Sequence, residues 1–277
     1  MPSPTRSSSR SHTSRHQHKK RFGQNFLNNG RIIQQIVQAI QPKADQHLVE
    51  IGPGEAALTR PLVEAVDRLD IIEIDNDLIA PLTQSLGQFP AFKLHHTDAL
   101  SFDYRQLLQS ETDRLRVVGN LPYNISSPLL FHLLDYAAHI SDMHFMLQKE
   151  VVERITAAPG SKTYGRLSVM LQYACATEYL FTVGPENFTP PPKVDSAIVR
   201  LTPYTDKPAQ ARNESDLADT VRQSFSQKRK TLRNNLKGWL SDEDIAACGL
   251  LGSDRAEQLN VADFVALADR YTERKGS

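Results

Sequence analysis

The stretch "HLVEIGPGEAALT" (His47–Thr59) sets the architecture. An apolar run holding a single acid breaks at two closely spaced glycines and passes at once into helix-forming residues. It reads as a buried strand, His47–Gly52, then a glycine turn, then a helix over Ala56–Val66. The alternation continues outward on both sides. Upstream, Ile32, Ile33, Ile36, Val37 and Ile40 recur at helical spacing. Downstream, Leu69–Asp75 is a second strand, followed by a helix to about Leu86. Ala91–Asp98 is a third strand. Arg116–Asn120 is a fourth, followed by a helix from Ser127 to about Ala138, and Asp142–Gln148 is a fifth. Strands alternating with helices predict an α/β protein with a parallel, doubly wound, Rossmann-like sheet. "YLFTV" (Tyr179–Val183) and "SAIVRLTP" (Ser196–Pro203) add an antiparallel strand pair.

Past Pro208 the character changes. Residues 214–273 keep helical spacing with almost no strand signal, so a small all-helical domain is expected over 208–277, after an α/β domain over 19–207. Residues 1–18 have no large apolar side chain except Met1, cannot contribute to a core, and are expected to be a disordered basic tail. The chain of 277 residues, 40% apolar, suffices for one large core and a satellite. It has no apolar run of the roughly 20 residues that span a bilayer. Cys175 and Cys248 have no metal-like spacing, and a reducing cytoplasm is expected. Net charge is zero, but charge is clustered. Lys228, Arg229, Lys230, Arg233 and Lys237 stand together without an acid, as do Arg6, Arg10, Arg15, Lys19, Lys20 and Arg21. Clustered positive charge suits phosphate, and so a nucleic-acid partner.

In a doubly wound sheet, ligands sit at the carboxyl ends of the strands. There the first strand offers Glu50, Gly52 and Gly54, the second Glu73, the third Asp98 and the fourth Asn120. "GPGEAA" (Gly52–Ala57) formally fits the dinucleotide pattern, which raises a nicotinamide dehydrogenase. Pro53 removes an N–H that a pyrophosphate would need. Three carboxylates instead suit a nucleoside bearing an ammonium and a sulfonium, which is S-adenosylmethionine. "RFGQNFL" (Arg21–Leu27) can clamp this end, anchored by Phe22, Phe26 and Leu27, with the Gln24 and Asn25 amides toward the ligand.

"NLPY" (Asn120–Tyr123) follows the fourth strand. A purine amino group is a poor nucleophile because its lone pair is delocalised. The Asn120 side-chain oxygen and the Leu121 carbonyl, aimed by the fixed φ of Pro122, can hold its two hydrogens and turn the lone pair toward a methyl donor. Tyr123 offers a stacking face worth roughly 1–3 kcal/mol. Phe188, ahead of the rigid Pro190–Pro192 arm, either closes over the base from the other side or is a core aromatic. No nucleophile–base constellation and no metal-ligand spacing is evident, and positioning alone can supply most of the acceleration.

Together "KRFGQNFL", "VEIGPGEAALT", "IIEID", "HTDAL", "GNLPYNISSPLLFHLL", "DMHFMLQKEVVERI", "YGRLSVMLQY", "FTPPPKVDSAIVRL" and "QKRKTLRNNL" resemble the bacterial small-subunit ribosomal RNA adenine dimethyltransferases, the KsgA/RsmA family, from about Lys20 to Leu236. The resemblance implies a class I S-adenosylmethionine-dependent methyltransferase sheet with a helical C-terminal domain. It implies two methyl groups placed on each N6 atom of two adjacent adenines near the 3′ end of 16S rRNA, in the immature 30S subunit, by a monomeric cytoplasmic enzyme. By motif, Asn25, Leu27, Gly52, Glu73, Asp98 and Asn120 would contact the cofactor, and Asn120, Leu121, Tyr123 and Phe188 the adenine. Lys228, Arg229, Lys230 and Arg233 are the expected RNA-binding cations. The family is similar to erythromycin-resistance methyltransferases that modify large-subunit RNA. A role as an assembly checkpoint factor, with methylation secondary, is the alternative from another functional class.

Overall fold

The computed structural model describes residues 25–122 and 124–276. The expected N-terminal tail, Phe22, Gln24 and Tyr123 lie outside them. The chain opens with a short strand, β1 (Phe26–Leu27), and the helix α1 (Gly30–Ile40). Four strand–helix units follow: β2 (His47–Ile51) with α2 (Thr59–Val63), β3 (Arg68–Glu73) with α3 (Asn76–Leu86), β4 (Phe92–His96) with a 3₁₀ turn, and β5 (Leu115–Asn120) with α4 (Ser126–Leu134). Then come β6 (Ile140–Gln148), α5 (Lys149–Ile155), α6 (Arg166–Ala174), β7 (Cys175–Val183), β8 (Phe188–Thr189) and β9 (Ser196–Pro203). The seven-stranded sheet runs β4-β3-β2-β5-β6-β9-β7. Its first five strands pair in parallel, and β9 joins β6 and β7 antiparallel. The chain leaves β2 toward β3 and β4, then returns to β5 on the other side of β2. Where the strand order reverses, the loops after β2 and β5 diverge and open a crevice.

Alternation along each strand builds a core on both faces of the sheet. Val49, Val117 and Phe145 point to one cluster, together with Leu129 of α4 and Leu171 of α6. Leu48, Val118 and Met146 point to the other, with Ile36 of α1 and Leu62 of α2. Because both faces are covered, these strands read as nearly continuous apolar runs.

Two expected boundaries move. The helix expected over Ala56–Val66 forms only as α2, because Gly54 and Ala56 have φ of 57° and 66°, and a run of turns occupies 54–58. The Ala56 N–H donates to the Pro53 carbonyl at 3.0 Å, inside that turn. The helix expected to reach Ala138 stops at Leu134 and is continued by a 3₁₀ turn over Ala137–His139.

At the opposite, amino end of the sheet a buried polar cluster ties three strands together. The Asp70 carboxylate bridges His47 and His95, 2.5 Å from an Nε2 of each. Arg68, which can only donate, approaches His47 Nδ1 at 2.7 Å. The His47 proton therefore resides on Nε2 and is given to Asp70. Burial alone would raise the Asp70 carboxyl, but the two histidine contacts outweigh it and hold it well below the usual carboxylate range. A carboxyl depressed in the folded state contributes stability above its unfolded pKa, and that contribution is lost as pH falls below about 4. Asp70→Ala is expected to cost about 3 kcal/mol at pH 7, roughly 6–12 °C in Tm. The difference from the parent, followed by thermal melts, should shrink toward pH 3.

Beyond β9, α7 (Glu214–Ser224), α8 (Leu232–Asn235), α9 (Asp242–Ala247) and α10 (Val261–Lys275) pack around Leu217, Val221, Leu232, Leu236, Phe264 and Leu267. This cluster also takes in Val169 and Tyr173 of α6. The Tyr173 hydroxyl donates to Glu214 at 3.1 Å and accepts from the Ala211 N–H at 3.3 Å. The helical region thus shares its core with the sheet domain. No helix among the described residues is long and apolar enough to cross a membrane.

Candidate active site

A cavity of about 220 Å³ opens where the strand order reverses. Its wall brings together Asn25, Leu27, Gly52, Glu73, Asp98, Asn120, Leu121 and Phe188, residues spread over more than 160 positions of the sequence.

The loop after β2 reaches the cavity through Gly52, whose φ of 66° few side chains tolerate. A Cβ there would come no closer than 3.9 Å to any neighbour, so Gly52 also leaves room facing the crevice. Gly54 also lines the cavity at a φ of 57°, and a Cβ there would lie 3.0 Å from the Phe26 ring. Gly119 is a glycine because a Cβ would meet the Ile51 carbonyl at 2.5 Å, which draws the ends of β5 and β2 together.

Three acids stand at this end. Glu50 is 2% exposed, and its Oε2 has no hydrogen-bond partner among the described residues. Burial pushes its carboxyl up to about 7, tempered by the Thr59 hydroxyl and reinforced by the negative charge of Glu73. Glu73 is raised too, first by burial, against the opposing N–H groups of Asp75 and Ile74. Both N–H groups donate to Glu73 Oε1, at 2.7 and 2.8 Å, and neither engages the other oxygen. Asp98 accepts the Leu100 N–H at 2.9 Å, which fixes the loop after β4. A buried carboxylate with an orphaned oxygen calls for a cationic partner, so the donor set fits a ligand with an ammonium and a sulfonium.

Charged Glu50 would attract such a ligand more strongly than neutral Glu50. Its affinity is therefore expected to rise about tenfold between pH 6 and pH 8, with the midpoint near 7. Titrating the ligand's own amino group adds to both profiles, so the informative quantity is the difference between wild type and Glu50→Gln, measured by calorimetry. Parallel profiles would remove Glu50 from the binding step.

Asn120 ends β5. Its Nδ2 donates to the Asn25 carbonyl at 3.2 Å, which assigns the amide orientation and leaves Oδ1 as the acceptor. Leu121 buries its side chain in the core at 1% exposure, and its N–H donates to the Met146 carbonyl at 3.1 Å. The Leu121 side chain is therefore a packing element, and only its carbonyl is available for recognition.

Phe188 is buried in the core, as one of its two expected roles requires, and also lines the cavity. Nothing in the local sequence announces its partner. β1 and β8 form a separate two-stranded sheet, with Leu27 opposite Phe188. Asn28 N–H to the Asn187 carbonyl at 3.0 Å and Asn29 Nδ2 to Asn187 Oδ1 at 2.7 Å extend this closure. Sequence reasoning also missed Ile74, an exposed apolar side chain on the cavity wall directly after Glu73. The signal was present, since an apolar residue between Glu73 and Asp75 just past a strand end has no core to join.

Of the expected RNA-binding cations, Lys228, Arg229 and Lys230 are exposed, and none has an ion-pair partner among the described residues. Arg233 differs: its Nε donates to Asp242 at 2.8 Å, so part of its charge is spent within the helical region.

A family model described as ribosomal RNA adenine dimethylase matches residues 15–273. The chain is 72% identical over 263 residues to "Ribosomal RNA small subunit methyltransferase A" of Hydrogenovibrio crunogenus, covering 94% of this chain and 99% of that protein. Among solved structures it is similar to a dimethyladenosine transferase from Plasmodium falciparum, with a TM-score of 0.77 and 26% identity over 90% of this chain and 98% of the other. It is also similar to the 23S rRNA methyltransferase ErmE, with a TM-score of 0.71 and 25% identity over 90% of this chain and all of the other.

Proposed function

This chain belongs to the ribosomal RNA adenine dimethylase family, and from that premise we propose that it dimethylates the N6 atoms of two adjacent adenines near the 3′ end of 16S rRNA, acting as a cytoplasmic monomer on the immature small subunit. It is an S-adenosylmethionine-dependent methyltransferase of Rossmann-like fold. Bound at the crevice, S-adenosylmethionine supplies a methyl group already activated on a sulfonium. Glu73 and Asp98 hold the nucleoside end, Gly52 leaves space beside it, and Leu27 and the Asn25 backbone close the near wall.

The observation that carries the reading is the fixed amide of Asn120. With Nδ2 committed to Asn25, Oδ1 accepts one hydrogen of the adenine amino group and the Leu121 carbonyl accepts the other. The nitrogen lone pair is left pointing out of the ring plane. No strong base is needed, because a methylated cationic nitrogen is acidic and releases its proton afterwards. Tyr123 and Phe188 flank the base, which must leave any helical stack to enter. The cations Lys228, Arg229 and Lys230 meet the RNA backbone.

The test is transfer of a tritiated methyl group from labelled cofactor to undermethylated small subunits, followed by nucleoside analysis. Dimethyladenosine at two adjacent positions of 16S rRNA is expected. Label confined to large-subunit RNA would replace this reading with the chemistry named for ErmE. Tight binding to the particle without transfer would favour a checkpoint role.

A further inference from the structure

The turn between α7 and α8 exposes five consecutive residues, 226–230, and ends in Lys228, Arg229 and Lys230. No acid occurs from residue 220 to residue 241, so nothing nearby in the sequence offsets their mutual repulsion. Left to itself such a segment would splay. Instead it closes on Asn235, which is only 3% exposed. Asn235 Nδ2 donates to the Ser224 carbonyl at 2.6 Å and makes longer contacts to the carbonyls of Gln227 at 3.3 Å and Lys230 at 3.4 Å. Its Oδ1 accepts from the Ser226 hydroxyl at 3.3 Å, and its main-chain carbonyl accepts from Gln223 Nε2 at 2.7 Å. One buried amide thus touches the turn at its start, middle and end. The next residues are pinned separately, by the Leu232 N–H to the Asp254 carbonyl at 2.8 Å and the Arg233 N–H to the Gly252 carbonyl at 3.0 Å.

We propose that Asn235 is a positioning residue for RNA recognition: it holds the 224–230 turn in one path so that Lys228, Arg229 and Lys230 meet the phosphate backbone as a preformed surface. The inference rests on the reading that this turn faces RNA. Its physical content is preorganisation. Cations held in place before contact avoid the ordering cost that a loose loop would meet on binding. Asn235 touches no phosphate itself, and the amide is suited to the task because it combines two N–H donors, shared among the three carbonyls, with an acceptor for the Ser226 hydroxyl.

The test uses the full chain and undermethylated small subunits across a salt series, with four proteins: wild type, Asn235→Ala, the triple variant Lys228→Ala, Arg229→Ala, Lys230→Ala, and the combination of all four changes. Asn235→Ala is expected to weaken particle binding about tenfold with cofactor affinity unchanged. The triple variant is expected to bind more weakly still and to flatten the salt dependence. Adding Asn235→Ala to the triple variant is expected to cost nothing further, because the cations it positioned are gone. An equal loss in both backgrounds would make Asn235 a packing residue only and overturn the inference. Wild-type binding by Asn235→Ala beside a weakened triple variant would also overturn it while leaving the RNA face intact. Wild-type binding by the triple variant would remove the turn from the RNA face altogether. Should Asn235→Ala melt below the assay temperature, Asn235→Ser, which keeps one donor, is read in its place, with an intermediate loss expected and an unchanged affinity counting against the inference.

Discussion

Asn120→Ala lowers methyl-transfer turnover by roughly 10²–10³-fold while leaving affinity for the particle nearly unchanged; this is the expected result for an acceptor whose value lies mainly in the transition state. In the ground state the adenine amino group loses one hydrogen bond among many contacts. As the nitrogen attacks, it must pull its lone pair out of the ring, and the amide oxygen stabilises the growing positive charge on the N–H bonds. Asn120 Oδ1 is preorganised for this by the bond from Nδ2 to the Asn25 carbonyl. Asn120→Asp is informative beside it, since it keeps an acceptor and loses the donor that sets the orientation. Single-turnover transfer, measured with particle binding on the same preparations, decides the matter. Equal losses in rate and binding would show that Asn120 serves binding and not the chemical step.

Glu73→Ala is expected to weaken cofactor binding by about 100-fold, some 3 kcal/mol, with particle binding retained. Glu73 lies at the end of β3, buried, with one oxygen committed to the Ile74 and Asp75 N–H groups. Those bonds aim the carboxylate and offset part of the burial that raises it. A ligand hydroxyl pair is the kind of partner that completes it. Glu73→Gln, which keeps an acceptor at the same place, should lose less than Glu73→Ala. Calorimetry with S-adenosylmethionine measures both. A Glu73→Ala protein that binds the cofactor within about threefold of wild type, or that methylates normally, would dismiss the carboxylate from the site.

The layered α/β plan and most of the cavity wall follow from the residue pattern alone. Strands buried on both faces must be largely apolar, so β2, β3 and β5 are visible as runs, and β3 and β5 end on the polar residues Glu73 and Asn120. Parallel strands put all their carboxyl ends on one edge, which is why residues far apart in the chain are expected in one crevice. Boundaries were less legible. Nothing local announces that Ala56 takes a left-handed φ and delays α2 until Thr59.

Features that depend on partners distant in the chain are set by long-range contacts. Phe26–Leu27 is too short to read as a strand and becomes one because Phe188–Thr189 lies beside it. A Cβ at Gly119 or Gly54 would press on Ile51 or Phe26, contacts that no local pattern records. The amide direction of Asn120 is set by a carbonyl 95 residues earlier in the chain, and Arg233 is distinguished from its basic neighbours by Asp242. Periodicity records which face of an element is buried. It does not record which atom waits on the other side of the contact, and the chemistry of this crevice is set by those atoms.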